Sequence, residues 1–234
     1  MSGFYMRGAL VEFMPTMLIP IPNVIIFQFN PETMTHTWTQ PEAVQQEGSQ
    51  SGNPLAVKGM PGESFSFTIA MDAADTIADT AVAAGLARVS GIYSRLAALE
   101  MLMYPASATQ TGLLGAVTGA IGGAFGAAKP KPERKVPSNT MPTVLFVWGP
   151  GRIVPVRVTT LTITERLYDM LLNPTHAEAQ LGLRVLTPNE LSHTTDTLAG
   201  LAKVSYTYSQ GLRQALAVAN LINAGESIVG MIPH

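Results

Sequence analysis

The chain has 234 residues, with 14 Lys and Arg against 16 Asp and Glu; the formal net charge of −2 excludes a generally basic nucleic-acid binder. Charged residues make up 13 % of it, against about 25 % in soluble globular chains, while 47 % are hydrophobic, enough for a sizeable core and too many for wholesale disorder. A surface so poor in charge is badly covered in water, and predicts that part of it faces other subunits.

The first twenty residues lack the layout of a signal peptide, because Glu12, Pro15 and Pro20 interrupt every apolar run. Strands are predicted at Ala9 to Phe13 and at Val24 to Phe29, the second β-branched and aromatic and ended by Asn30-Pro31. From Thr33 to Thr39 threonine alternates with Met34, His36 and Trp38, the period of two of a strand with one buried face. After a polar loop over 41–60, Ser64 to Met71 alternates again and puts Phe65, Phe67, Ile69 and Met71 on one face. Asp75 to Tyr104 has helical spacing, through Leu86, Val89, Tyr93, Leu96, Leu99 and Met103, and is read as one long helix or two with a break near Gly91.

Residues 106–140 read as an insertion: a Gly/Ala-rich stretch, Gly112 to Ala128, and then a basic, proline-rich run, Lys129 to Lys135. The first part has no charge, and Gly115, Gly119 and Gly123 recur every four residues, as in closely packed membrane helices. Its glycines weaken a helix in water, so a flexible loop is the favoured reading, ahead of burial against a neighbouring subunit and of membrane contact. The basic run has no aromatic partner for bases and reads as a solvated linker. Strands return at Thr143 to Trp148, Ile153 to Val158, Leu161 to Leu167 and Ala177 to Leu186, with a turn at Gly149-Pro150-Gly151. After Pro188 the chain is mostly helical, with Leu212, Leu216, Ala219 and Ile222 on one stripe. This order predicts an α+β fold, an antiparallel barrel or sandwich with one packed helix and a helical C-terminal segment. Its predicted core includes Phe65, Phe67, Ile69, Val144, Phe146, Leu181 and Leu183.

Cysteine is absent, which removes disulfides, thiol catalysis and thiolate metal sites. His36, His176, His193 and His234 lie far apart and form no two-His metal spacing. No nucleophile elbow, phosphate-binding loop or dinucleotide fingerprint is present. Asp72, Asp75 and Asp79 fit helix capping, and Glu165 and Glu178 are expected in facing strands without forming an acid–base pair. No catalytic residue, cofactor or metal is expected.

Val24-Ile-Ile-Phe-Gln-Phe-Asn-Pro-Glu32 resembles the opening signature of tube-type baseplate proteins of contractile injection systems, the phage-tail-like particles. Thr143-Val-Leu-Phe-Val-Trp-Gly149, Leu161-Thr-Ile-Thr-Glu-Arg-Leu-Tyr168 and Asn173-Pro174 through Arg184 are similar, in that order, to the ending of the family's tube domain. The resemblance covers 5–187 and implies a tail-tube fold carrying the 106–140 insertion. In 188–234, Thr195-Asp196-Thr197-Leu198, Ala219-Asn220 and Gly230 to Pro233 resemble a degenerate LysM-like segment, with Thr195 in place of the usual glycine.

What the family implies is a structural protein: a hexameric ring that adapts the inner tube to the central spike and starts tube assembly. Its partners would be copies of itself, the inner tube protein, the spike or hub protein, and other baseplate or sheath proteins. No nucleic acid and no membrane contact are expected, and assembly would take place in the cytoplasm as part of a contractile particle. Val24, Ile26, Phe27, Leu161 and Ile163 are the expected subunit-interface residues. The alternatives are an inner-tube or cap-end component, and, in a different class, a glycan- or membrane-directed accessory acting through the LysM-like segment or the insertion.

Overall fold

The structure, a computed structural model, describes residues 5–13, 22–41, 56–57, 59–74, 91–105, 141–194 and 199–231. The strands are β1 (Ala9–Phe13), β2 (Pro22–Ile26), β3 (Met34–Thr39), β4 (Gly62–Asp72), β5 (Val144–Val147), β6 (Ile153–Tyr168) and β7 (Pro174–Val185). The helices are α1 (Tyr93–Met101), α2 (Pro188–Ser192) and α3 (Ala199–Met231). The seven strands form one sheet in the order β2-β1-β5-β6-β7-β4-β3, antiparallel at each junction. The α+β class with an antiparallel sheet is therefore present.

The expected barrel is not closed: the sheet ends at β2 on one side and β3 on the other. It is nevertheless strongly curled. Three strand spacings separate β5 from β4, about 14 Å in a flat sheet. Yet Phe146 of β5 lies 5.3 Å from Phe65 and 5.5 Å from Phe67 of β4, ring centre to ring centre. Phe27, just after β2, is also 5.5 Å from Phe67. One face of the sheet thus folds onto itself around the core, and all seven predicted core residues are buried in it.

The alternation of β4 and β7 sets that inner face, with Phe65, Phe67, Ile69 and Met71 packed against Ala177, Ala179, Leu181 and Leu183. β5 is buried on both faces. Phe146 points into the main core, and Leu145 joins Leu191 of α2 and Ala202 of α3 in a second small core outside the sheet. An apolar run without alternation is what a strand covered on both sides requires. The segments 153–158 and 161–167, expected as two strands, are one 16-residue strand. The register shift between Val158 and Thr160 is a bulge that keeps both Val158 and Leu161 on the inner side.

The strand predicted over Val24 to Phe29 ends at Ile26. Of the predicted helix over 75–104, the described part is α1, preceded by a turn at Gly91 (φ 55°), and residues 75–90 fall outside the described residues. The 106–140 insertion and Thr195 to Leu198 fall outside them too. α2 opens on a capping box, in which the Thr187 side chain accepts from the Glu190 N–H and Glu190 accepts from the Thr187 N–H. The first half of α3 lies on β6 through Ala202, Ser205, Tyr206 and Ser209, spaced to share one helix face. The Ser209 hydroxyl serves as a strand partner there, accepting from the Ile153 N–H at 3.2 Å and donating to its carbonyl at 2.8 Å.

Candidate assembly interface

Two stretches of strand edge near the expected interface lack a strand partner among the described residues. β2 is bonded only to β1, so its other edge is open. β5 pairs with β6 only over Ile153 to Val156, so from Arg157 onward the β5 side of β6 is open as well. Apart from Pro22 at the start of β2, neither edge carries the lysines, prolines or inward charges that usually blunt such edges. On β2, Val24 and Ile26 are 46 % and 57 % exposed and alternate with the half-buried Asn23 and Ile25.

The five expected interface residues divide by environment. Val24 and Ile26 present apolar side chains to solvent beside the open β2 edge. Leu161 and Ile163 lie on the open half of β6 and rest, partly buried, against the main core. The Phe27 side chain is 1 % exposed and belongs to the core between Phe67 and Trp148. The backbone N–H of Phe27 is bonded to the Gly8 carbonyl at 2.8 Å.

Between β2 and the end of β4 the curled sheet is held by a side chain. Gln28 donates through Nε2 to the Asp72 carbonyl at 2.9 Å, and its Oε1 accepts from the Asp72 N–H at 2.9 Å. The carboxamide imitates a peptide group across the gap. Arg95 of α1 donates to the same Oε1 at 2.9 Å, which ties α1 to this seam. Beside it runs a groove of about 310 Å³ whose walls include Val24, Ile26, Ile69, Met71 and Ala98, with Arg95 on its border.

The hairpin between β6 and β7 is the second conspicuous surface. Met170 is fully exposed, and Leu171 and Leu172 are 74 % and 79 % exposed, next to the exposed Leu167 and Tyr168. The turn is held by Asp169, whose Oδ1 accepts from the N–H groups of Leu171 and Asn173, both at 2.8 Å. Its Oδ2 accepts from the Asn173 amide at 3.0 Å. These bonds, that to the Asn173 side chain foremost, hold the Asp169 carboxyl below its ordinary range. Leu167 (φ 56°) and Leu172 (φ 63°) both have left-handed backbone, which costs a non-glycine residue about 1 kcal/mol or more.

A buried ionic cluster on the inner face was not expected from the sequence. Glu63 of β4 is buried and accepts from Arg213 of α3 through both oxygens, at 2.9 Å for Oε2, and from His36 Nε2 at 2.8 Å. The His36 ring stacks on Phe65 at 4.3 Å, Arg152 lies over Phe65 and Arg213 over Trp38. Burial lowers the His36 pKa; the Glu63 carboxylate opposes that shift, and Arg152 and Arg213 reinforce it. The cluster clamps α3 to the β3–β4 edge. Its separation, Arg213 lying 150 residues after Glu63, left no local signal.

The remaining candidate groups are spread apart. His176 faces Asp72 at 3.4 Å, and His193 is exposed after α2. His234, Asp75 and Asp79 lie outside the described residues, while Asp72 accepts from the Ala74 N–H at 2.7 Å, a capping contact. Glu165 and Glu178 are not opposite each other. Glu165 pairs with Ala177 and takes a bond from the Tyr168 hydroxyl, and Glu178 pairs with Thr164 and binds Arg166 at 3.3 Å. Among the described residues no group of three or more His, Asp or Glu could hold a metal ion, and no helix is long and apolar enough to cross a membrane. No family model matches the chain, and no match to a curated protein was found.

Proposed function

We propose that the chain is a structural component of a contractile injection system baseplate, which forms a ring of copies that adapts an inner tube to a central spike and starts tube assembly. The observation that carries this reading is the pair of different strand edges left open among the described residues, on β2 at one end of the curled sheet and on the distal half of β6 within it. Two different open edges on one chain are self-complementary in a head-to-tail sense. Such heterologous contacts close into rings when the rotation per copy allows it. The tail-tube form of the curled sheet and the copy number of six come from the sequence resemblance, as do the inner tube and spike partners.

The low charge and the exposed apolar side chains of β2 support the same reading, since an edge like this left in water invites aggregation unless another chain covers it. Val24→Asp or Ile26→Asp, both at exposed positions, should block particle assembly while the chain stays folded, because an unpartnered charge in a closed apolar contact costs several kcal/mol. Thr207→Asp, on the exposed side of α3, should assemble normally. The measurement is particle yield by electron microscopy next to circular dichroism of each variant. Normal particles from the strand variants would contradict the proposal.

A further inference from the structure

The β6–β7 hairpin tip and the groove beside β2 are two features of one chain that no other described residue covers. The tip presents Leu167, Tyr168, Met170, Leu171 and Leu172 to solvent on a turn fixed by Asp169. A turn held this firmly in partly left-handed backbone is not a slack loop that happens to expose apolar groups. The groove is lined mostly by apolar side chains, with Asn23, Gln28, Ser94 and Arg95 beside them, and has room for more than one side chain of that size. Both features border the same helix. The Pro174 carbonyl at the base of the hairpin accepts from the Ile92 N–H at 3.0 Å, just before α1, while Ser94, Arg95 and Ala98 of α1 line the groove.

The geometry points to a contact between copies in which the hairpin tip of one subunit seats in the β2–α1 groove of the next. This rests on the ring reading above and names the parts that would meet. Charge favours it: the tip carries Glu165, Arg166 and Asp169, a net negative charge, and Arg95 lines the groove, so the pairing brings opposite signs together. The net negative charge of the tip, Arg166 included, disfavours an anionic lipid surface, which attracts Lys and Arg instead. At on the order of 100 Å² of apolar area per side chain, the tip offers about 500 Å². That is a large share of the roughly 800 Å² per partner in a stable contact, and adjoining strand edges would add the rest.

Because the chain has no cysteine, the contact can be trapped without a background. Met170→Cys combined with Ala98→Cys in the full chain should, on mild oxidation, give a ladder of covalent oligomers, and neither single variant should extend beyond a dimer. Met170→Cys with Thr207→Cys serves as the control for random collision. Met170→Asp with Leu171→Asp should weaken self-association about tenfold or more by sedimentation, with an unchanged circular dichroism spectrum. Assembled protein without the ladder, or an equal ladder from the control, overturns this contact and leaves edge pairing standing. A chain that is monomeric at every concentration overturns both. Flotation with phosphatidylcholine vesicles, with and without phosphatidylserine, covers the other occupant: binding lost in the Asp variant would make the tip a membrane contact and overturn the proposal.

Discussion

Phe67 stands where the two halves of the curled sheet meet, with Phe27 and Phe146 both at 5.5 Å. Phe67→Ala removes contacts from both halves, and a cost of about 3–5 kcal/mol is expected in denaturant unfolding. A loss below about 1 kcal/mol would contradict its place at the centre of the core. His36 gives a pH dependence with a definite sign. Its folded pKa lies below the unfolded value of 6.5, so below that pH the unfolded chain binds more protons. Stability is unaffected by this group at high pH and falls as the pH drops through 6.5 toward the folded value. The charges facing the ring are Glu63, Arg152 and Arg213. Wild type should therefore lose more stability than His36→Gln between about pH 7.5 and 5.5. Equal losses would show that His36 is not the group concerned.

At the level of elements, Gly91 joins the hairpin base to α1. A Cβ at this position would sit 2.3 Å from the Pro174 carbonyl oxygen, and its φ of 55° is already one that other residues adopt at a cost. Gly91→Ala should break the Ile92–Pro174 bond and cost about 1–3 kcal/mol, and hydrogen exchange at Ile92 should speed up relative to β4. Unchanged exchange at Ile92 would contradict this junction. The strands themselves were legible wherever one face is apolar and the other polar, as in Phe65, Phe67 and Ile69, or where both faces are covered, as in Val144 to Phe146. The bulge in β6 was not, because a shift of phase between Val158 and Leu161 looks the same in sequence as the end of a strand. Glu63 resembles any polar residue opening a strand, and its partner Arg213 lies in a helix far along the chain. Gln28 closing the seam was hidden likewise, since a side chain imitating a peptide group leaves no pattern. Of the proposed interface, Val24 and Ile26 fall in a β-branched run that predicts a strand, while the exposed apolar residues Tyr168, Met170, Leu171 and Leu172 lie beyond the strand predicted to end at Leu167 and form no pattern of their own. A readable signal that went unused is Thr187-Pro188-Asn189-Glu190, whose spacing marks the start of α2.

For the molecule as a whole, the proposed role requires the open edges to be surfaces between copies. A curled sheet with β2 at one end and an open distal half of β6 offers the edges that the proposed ring would use. The single measurement closest to that claim is the mass and shape of the purified full chain over a range of concentrations, by sedimentation velocity with negative-stain electron microscopy of the same samples. Closed rings are expected, with the six copies that the family resemblance implies, and Val24→Asp should convert them to folded monomer. A wild-type chain that stays monomeric throughout, or rings that Val24→Asp leaves intact, would contradict that role.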